Sequence, residues 1–362
     1  MAAAKEKAVA KKAAPAFEVV LRKNPGYAKI DPNYAVPVKK PGEYDKKFLE
    51  ELMTRMMTVN KFEEVAFWLF GQGLVHGTMH LSIGEEATGV GTTAALTKED
   101  YMLATHRGHG QALGKGVDVN HMMAEILGRA TGTNHGKGGS MHICDFDNGI
   151  LGANGIVGAN GPIALGAALT IKMKKIPNRV CAAFFGDGAS NEGAILESMN
   201  LAAAWDLPLL FILTNNTYGM STPIERIVKN TDLRKRADAF GFKSFECDGN
   251  DVLAVYEAVK KAREWAVAGK GPVLVVEHTY RTSGHSKSDG NLYRTKEEIQ
   301  WWKDHSPIVR FKDYLISNKI FTEKQIDKMQ AKADKIVNDS VEFAKAQPQP
   351  VVEDLEADVY AK

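Results

Sequence analysis

The tripeptide Gly186-Asp187-Gly188 and the pair Asn215-Asn216 are the residues whose types and spacing carry chemistry. Asn216 follows Asp187 by 29 positions (216 − 187). A carboxylate, a carboxamide oxygen and a nearby backbone carbonyl are hard donors. They suit Mg²⁺ or Ca²⁺, and Mg²⁺ commonly shares its shell with phosphate oxygens and water. The two glycines let the backbone approach a phosphate, and a helix starting after them would turn its N-terminus to the anion. Gly-Asp-Gly alone is a common strand-to-helix turn; the spacing to Asn216 is what gives it weight.

That spacing has to be built by particular elements. Residues 180–185 and 209–213 are short apolar runs that read as buried strands. Between them, 192–205 carries Ile195, Leu196, Met199, Ala202 and Ala203 at helical spacing. A parallel strand–helix–strand unit puts Asp187 and Asn216 on one sheet edge, where doubly wound folds bind ligands. Further strands are expected at 243–247 and 273–276, around a helix over 252–268. A long core helix is expected over 48–70, and an amphipathic one near the C-terminus carries Ile326, Met329, Ile336, Val337 and Phe343. Glu85 and Glu86 open a helix in which Gly89 and Gly91 permit close packing.

Other motifs are weighed against these. After Tyr101–Thr105 comes His106-Arg107-Gly108-His109, where Arg107 is either a partly exposed loop arginine or a rigid fork for anionic oxygens with His106 beside it. His76 and His80 have zinc-helix spacing, but Gly77 stands where that motif needs Glu. The run 131–141 approaches a phosphate-binding loop, yet Gly138 occupies the place of the Mg²⁺-binding hydroxyl. No strict Gly-x-Gly-x-x-Gly follows a strand, which disfavours a nicotinamide site. The glycine density of 151–166 means tight backbone approach to a ligand or, at Gly166, to a helix.

The ordered set resembles the thiamin diphosphate motif. From about Phe48 to the C-terminal helix the chain is similar to the alpha subunits of the thiamin-dependent first component of 2-oxo acid and acetoin dehydrogenase complexes; the His-Arg-Gly-His form is more like the acetoin type. The resemblance implies an α/β fold: a doubly wound, mostly parallel sheet with an N-terminal arm and a C-terminal helix. It implies that Asp187, Asn216 and the Tyr218 carbonyl hold Mg²⁺, and that Gly186, Gly188, His106, Arg107 and His285 surround the diphosphate. Gly155 and Val157 would meet the aminopyrimidine through backbone groups, and Met220 would press on the bent cofactor. His80, near the substrate mouth, and His285 become candidate acid–base or substrate-orienting groups. The 131–141 run becomes a flexible loop near the cofactor. Ser286 matches a phosphorylation site of some animal enzymes, but Pro223 replaces a second one, so regulation by phosphorylation is not expected.

Composition narrows the rest. The 362 residues are 44% hydrophobic and 25% charged with a net charge of +2, an ordinary globular balance that gives no argument for nucleic acid. Cys144, Cys181 and Cys247 form no Cys-x-x-Cys. No apolar run approaches the roughly 20 residues of a membrane span, and the Ala/Lys-rich start lacks the apolar core of a secretory signal. A cytoplasmic location is expected, ahead of mitochondrial matrix or plastid. The organisation expected is a flexible basic, Pro-rich arm over 1–47, its part from Lys23 to Pro41 extended along the domain or a partner, an α/β domain over 48–320 and a C-terminal helix and tail over 321–362.

A second doubly wound module is missing. In the resembled family the carboxylate that activates the aminopyrimidine comes from another chain. The reading is therefore half an active site, completed by a beta subunit in an α₂β₂ heterotetramer. The substrate is a 2-oxo acid such as pyruvate, or acetoin, and the acyl unit goes to a lipoyl-bearing acyltransferase core. Glu85 or Glu86 is the internal alternative for the activating carboxylate. A Mg²⁺-dependent nucleotide-binding domain and a non-catalytic scaffold of the same fold are the competing functions. The stretch 151–166 should sit at the interface, and the polar segment 281–294 should be mobile until cofactor binds.

Overall fold

A computed structural model of the chain describes residues 26–357 and 359; the basic segment 1–15 lies outside them. The chain enters through α1 (Lys46–Gly71) and α2 (Glu86–Ala95), then β1 (Tyr101–Thr105), α3 (His109–Lys115) and α4 (Val119–Ile126). Next come β2 (Ile150–Asn154), α5 (Asn160–Met173), β3 (Cys181–Gly186), α6 (Gly193–Ala204) and β4 (Leu209–Asn215). A short antiparallel pair, β5 (Tyr218–Gly219) and β6 (Thr222–Pro223), precedes α7 (Lys235–Ala239), β7 (Lys243–Asp248), α8 (Val252–Val267) and β8 (Val273–His278). The chain closes with α9 (Lys296–Asp304), α10 (Pro307–Ser317) and α11 (Glu323–Ala346). Among the described residues no helix is long and apolar enough to cross a membrane.

Six strands form one all-parallel sheet in the order β2-β1-β3-β4-β8-β7. Parallel strands covered on both faces read as continuous apolar runs, and β4 is buried at every position. Its side chains alternate between two cores. Leu210 and Ile212 join residues of α1, α2 and α8, while Leu209, Phe211 and Leu213 join residues of α5 and α6. Each such side chain contributes about 1.5–3 kcal/mol by leaving water.

The crossovers fix where a ligand can sit. β1 reaches β2 through α3 and α4 on one face, and β3 reaches β4 through α6 on the other. The strand order therefore reverses between β1 and β3, and a crevice opens beyond their C-terminal ends. Two small residues bring α2 into place: a Cβ on Gly89 would meet the Gly110 carbonyl carbon at 2.9 Å, and one on Gly91 would meet Val255 at 2.8 Å.

One strand was not foreseen, and one local expectation is corrected. The glycine-dense stretch 151–166 begins inside a strand, β2, whose Gly152 has φ 144° and whose pairing with β1 is irregular between Met102 and Leu103. The helix after Gly-Asp-Gly does not offer its N-terminus directly to an anion. A 3₁₀ turn over Ala189–Asn191 intervenes, tightened by the Ser190 hydroxyl donating to the Asp187 carbonyl at 2.6 Å. Glu192 is extended before α6 starts.

The described part of the arm is pinned across β7. Glu246 N donates to the Tyr34 carbonyl at 3.0 Å. Arg234 bridges Asp31 at 3.2 Å and Glu246 at 3.3 Å and lies 4.0 Å over the Tyr34 ring. Tyr27 packs against Trp301 and under Arg310. At the other end, a capping box of Thr322 and Gln325 starts α11, whose Ile326, Met329 and Val337 share the core of α1.

Candidate active site at the strand switch point

Gly186 pairs with Thr214 at the ends of β3 and β4, so Asp187 and Asn216 leave the sheet side by side. Asp187 is 1% exposed, and its Oδ2 is buried with no hydrogen-bond partner. Burial, reinforced by the neighbouring Glu85 carboxylate, pushes its carboxyl up to about 6. A buried oxygen left in that state is unfavourable unless something compensates it. Asn216 donates from Nδ2 to Glu85 Oε1 at 2.6 Å, which fixes its amide plane and leaves Oδ1 to act as acceptor. Thr217 and Met220 have φ of 72° and 55°. A β-branched residue in that region costs on the order of 1–3 kcal/mol, strain held by the turn that carries Tyr218. The Tyr218 hydroxyl donates to Glu298 at 3.0 Å, and the Tyr280 hydroxyl donates to the same carboxylate at 2.9 Å. A Cβ on Gly188 would meet the Gly219 Cα at 3.4 Å, so glycine against glycine lets the two turns close on one another. Asp187, the Asn216 amide and the Tyr218 carbonyl are a hard oxygen set, and the unpartnered Asp187 oxygen fits a divalent cation.

The opposite wall is cationic. Arg107, 5% exposed on the turn after β1, donates to the Leu81 carbonyl and to the His285 carbonyl at 2.9 Å, with its Nε 3.9 Å from Glu85 Oε2. Burial lowers its guanidinium to about 10, which leaves it charged at neutral pH. Arg281, which the sequence reading passed over, is equally buried. It donates to the Ser283 carbonyl at 2.8 Å and to the Met220 carbonyl at 3.1 Å, and its Nε has no partner. Its signal in the sequence is a charge three residues past the end of a buried strand, β8, where Asp187 directly follows β3.

These walls enclose a cavity of about 310 Å³. Its lining includes His106, Arg107, Gly186, Asp187, Gly188 and Asn216, and also Val157, Tyr218, Met220 and His285. Gly155 and His80 are not part of it. Gly155 faces the His142 ring instead, 3.5 Å from where its Cβ would lie. His80 stands one layer back, its ring edge-on to His106 with centroids 4.6 Å apart. Burial, then the Arg107 charge, depresses His80 to about 3 and His106 to about 2; burial and the same arginine take His285 to about 4. All three imidazoles are neutral at neutral pH, which suits them to orient a substrate rather than to hold a proton. Glu85 lines the cavity, whereas Glu86 lies away from it, accepting from Asn60 Nδ2 at 2.8 Å and Gly84 N at 3.1 Å.

Two loops carry internal hydrogen-bond frames. The 281–294 segment has a frame of its own. Asp289 accepts from His285 N and from the Tyr293 hydroxyl, both at 2.7 Å. Arg294 donates to the Arg281 and Ser283 carbonyls, and Lys287 N donates to the Met79 carbonyl at 3.1 Å. The 131–141 run has its donors occupied internally. The fully buried Glu125 carboxylate accepts from the backbone N–H of Asn134, Gly136, Gly138 and Gly139 at 2.7–2.9 Å. Ser140 is tied down separately: its hydroxyl meets His109 Nε2 at 2.9 Å, and His109 Nδ1 meets Glu63 at 2.8 Å.

Fold and cavity together define an α/β protein whose doubly wound sheet opens, at its switch point, onto a cavity lined by a buried carboxylate, an amide and two guanidinium groups. Comparison with known proteins gives that class a family. Residues 54–353 match the family described as dehydrogenase E1 component. The chain is 43% identical to the alpha subunit of acetoin:2,6-dichlorophenolindophenol oxidoreductase of Bacillus subtilis, over 84% of this chain and 91% of the relative. It is 40% identical to the pyruvate dehydrogenase E1 component subunit alpha of Zymomonas mobilis, over 90% of this chain and 92% of the relative. The counterpart of the same name in Rickettsia bellii is 38% identical, over 90% of this chain and 97% of the relative. The chain belongs to the dehydrogenase E1 component family.

Proposed function

We propose that this chain is the alpha subunit of a thiamin diphosphate-dependent dehydrogenase acting on a 2-oxo acid or acetoin, with a beta subunit completing an α₂β₂ assembly and a lipoyl-bearing acyltransferase core receiving the acyl unit. The observation that carries the reading is the buried, unpartnered Asp187 Oδ2 beside Asn216 at the switch point. When bound, thiamin diphosphate supplies the carbon nucleophile and the electron sink for breaking a bond beside a carbonyl.

The chain's own residues bind and orient. Asp187, Asn216 Oδ1 and the Tyr218 carbonyl would hold Mg²⁺, and Arg107 would turn its charge to the diphosphate oxygens. His106 and His285, neutral and close to Arg107, would donate single N–H groups to anionic oxygens of cofactor or substrate. Phe184 and Phe185 close the floor of the cavity and exclude water. Glu85 already accepts from Asn216 at the cation corner, which supports assigning the pyrimidine-activating carboxylate to another chain. Around the mouth, Ile156, Val157 and Met220 are 72%, 51% and 63% exposed. An apolar rim on a polar cavity is what a partner subunit covers.

The test is purification of the chain with and without its beta subunit, followed by assay with pyruvate, branched 2-oxo acids and acetoin and an artificial electron acceptor. Turnover should require both chains. Full turnover by this chain alone, lost in Glu85→Gln, would put the whole site here and overturn the partner assignment.

A further inference from the structure

Three histidines from distant parts of the chain converge beside the cavity: His80 ahead of α2, His106 after β1 and His285 in the segment after β8. Each offers one ring nitrogen, and the three nitrogens all lie within 4.8 Å of one another. The ring centroids are 4.6, 5.0 and 5.7 Å apart. His80 Nδ1 is buried without a hydrogen-bond partner, and no protein group among the described residues pairs with the ring nitrogens of the other two. We propose that these three imidazoles form a site for a borderline-soft divalent transition metal, Zn²⁺ being the type ion, distinct from the Asp187 corner.

The chemistry of the donors separates the two sites. Neutral imidazole suits Zn²⁺, Cu²⁺ and Ni²⁺, whereas carboxylate and carbonyl oxygens suit Mg²⁺. The rings are neutral at neutral pH for reasons of burial and neighbouring charge, so no proton has to leave before a metal binds. Zn–N bonds of about 2.0–2.1 Å in a tetrahedron set ligand nitrogens ~3.4 Å apart, so the widest pair has at most about 1.4 Å to close. His285 sits on an irregular segment beside Gly284 and can supply that movement by ring rotation. His106 and His285 also line the cavity, so the fourth position faces inward, open to water or to an anionic oxygen.

Two features set the strength. Among the described residues, no carboxylate or carbonyl orients the ring N–H groups from behind, the support that strengthens built zinc sites. The Arg107 and Arg281 guanidinium groups stand nearby. Binding in the micromolar range is expected, tight enough to matter under transition-metal load and weak enough to leave the rings available to substrate otherwise. An ion held there would stand between the 281–294 segment and the cavity, so occupancy and substrate entry should exclude one another.

The inference does not rest on the cofactor reading, and the full-length chain alone suffices to test it. The chelator-treated chain is titrated with Co²⁺ in excess Mg²⁺, followed by visible absorption, then back-titrated with Zn²⁺. One equivalent should bind with the intense bands of four- or five-coordinate Co²⁺ and be displaced by Zn²⁺. Asp187→Ala and Cys144→Ser should bind alike, whereas His106→Ala and His285→Ala should weaken binding at least tenfold. His285 lies outside the regular elements, so its variant keeps the test valid should His106→Ala fail to fold. Absence of the bands, binding indifferent to His285→Ala, or binding removed by Asp187→Ala or Cys144→Ser would overturn the proposal.

Discussion

The run 131–141 and the paired turns at 186–188 and 216–220 are both glycine-rich, and both bring polar backbone groups together, yet they end differently. In the first, four N–H groups converge on Glu125, so a carboxylate from α4 takes the place an external anion would need. In the second, the convergence leaves Asp187 Oδ2 over, buried and unpartnered. Glycine density thus marks where backbone comes close. What marks a ligand site is the polar atom that the fold does not satisfy, provided space lies beside it.

The strongest way to break this contrast is to remove the leftover atom. Asp187→Ala should weaken thiamin diphosphate binding in the presence of Mg²⁺ by about a thousandfold, ~4 kcal/mol. The melting temperature of the ligand-free chain should be unchanged or higher, because an uncompensated buried carboxyl has gone. Calorimetry showing native-like affinity would refute the cation corner. The mirror experiment is Glu125→Ala, which strands four part-buried N–H groups. It should cost about 4 kcal/mol of stability and expose 131–141 to protease. A loss below ~1 kcal/mol would mean that Glu125 does not close the nest.

A third carboxylate sharpens the criterion. Glu277 on β8 is fully buried. One oxygen accepts from Thr92 at 2.6 Å, and the other has no partner and does not line the switch-point cavity. Burial raises its carboxyl from 4.5 to about 8, so here protonation, not a ligand, answers the leftover oxygen. The folded chain then keeps a proton that the unfolded chain releases, and stability is lost as pH rises from about 4.5 to about 8. Glu277→Gln removes that dependence. Between pH 5 and pH 8, the variant should gain roughly 3 kcal/mol relative to the parent in denaturant unfolding. A pH-independent difference would show that Glu277 titrates normally. The mildest change is Glu85→Gln, which keeps an acceptor for Asn216 but removes a charge from the cation corner. Mg²⁺ affinity should fall by about tenfold, ~1.4 kcal/mol, as read by titration at fixed cofactor; an unchanged affinity would leave Glu85 a structural acceptor only.

How much of this was legible in the sequence follows from the range of the interactions. Asp187 and Asn216 were legible because one strand–helix–strand unit positions both, and apolar runs announce such a unit. The helices over 48–70 and 252–268 were legible for the same local reason. β2 was not, since Gly152 and the glycines that follow mask a strand that only pairing with β1 defines. Glu125 and the Glu63–His109–Ser140 chain were hidden, because nothing local distinguishes a buried acid on a helix from an exposed one. Arg281 and the meeting of His80, His106 and His285 depend on segments that only the sheet order brings together. Glu298, which fixes Tyr218 and Tyr280, sits in a helix whose sequence is mostly polar.

The arm across β7 has a consequence for how the molecule behaves among its own copies. β7 ends the sheet, and an open edge of that kind is a template on which any passing strand can add. Tyr34 occupies the Glu246 N–H, and the Asp31–Arg234–Glu246 bridge clamps it there. This proline-rich stretch therefore covers part of the sheet's open edge, and deleting it should leave β7 freer to take up a strand from a second copy.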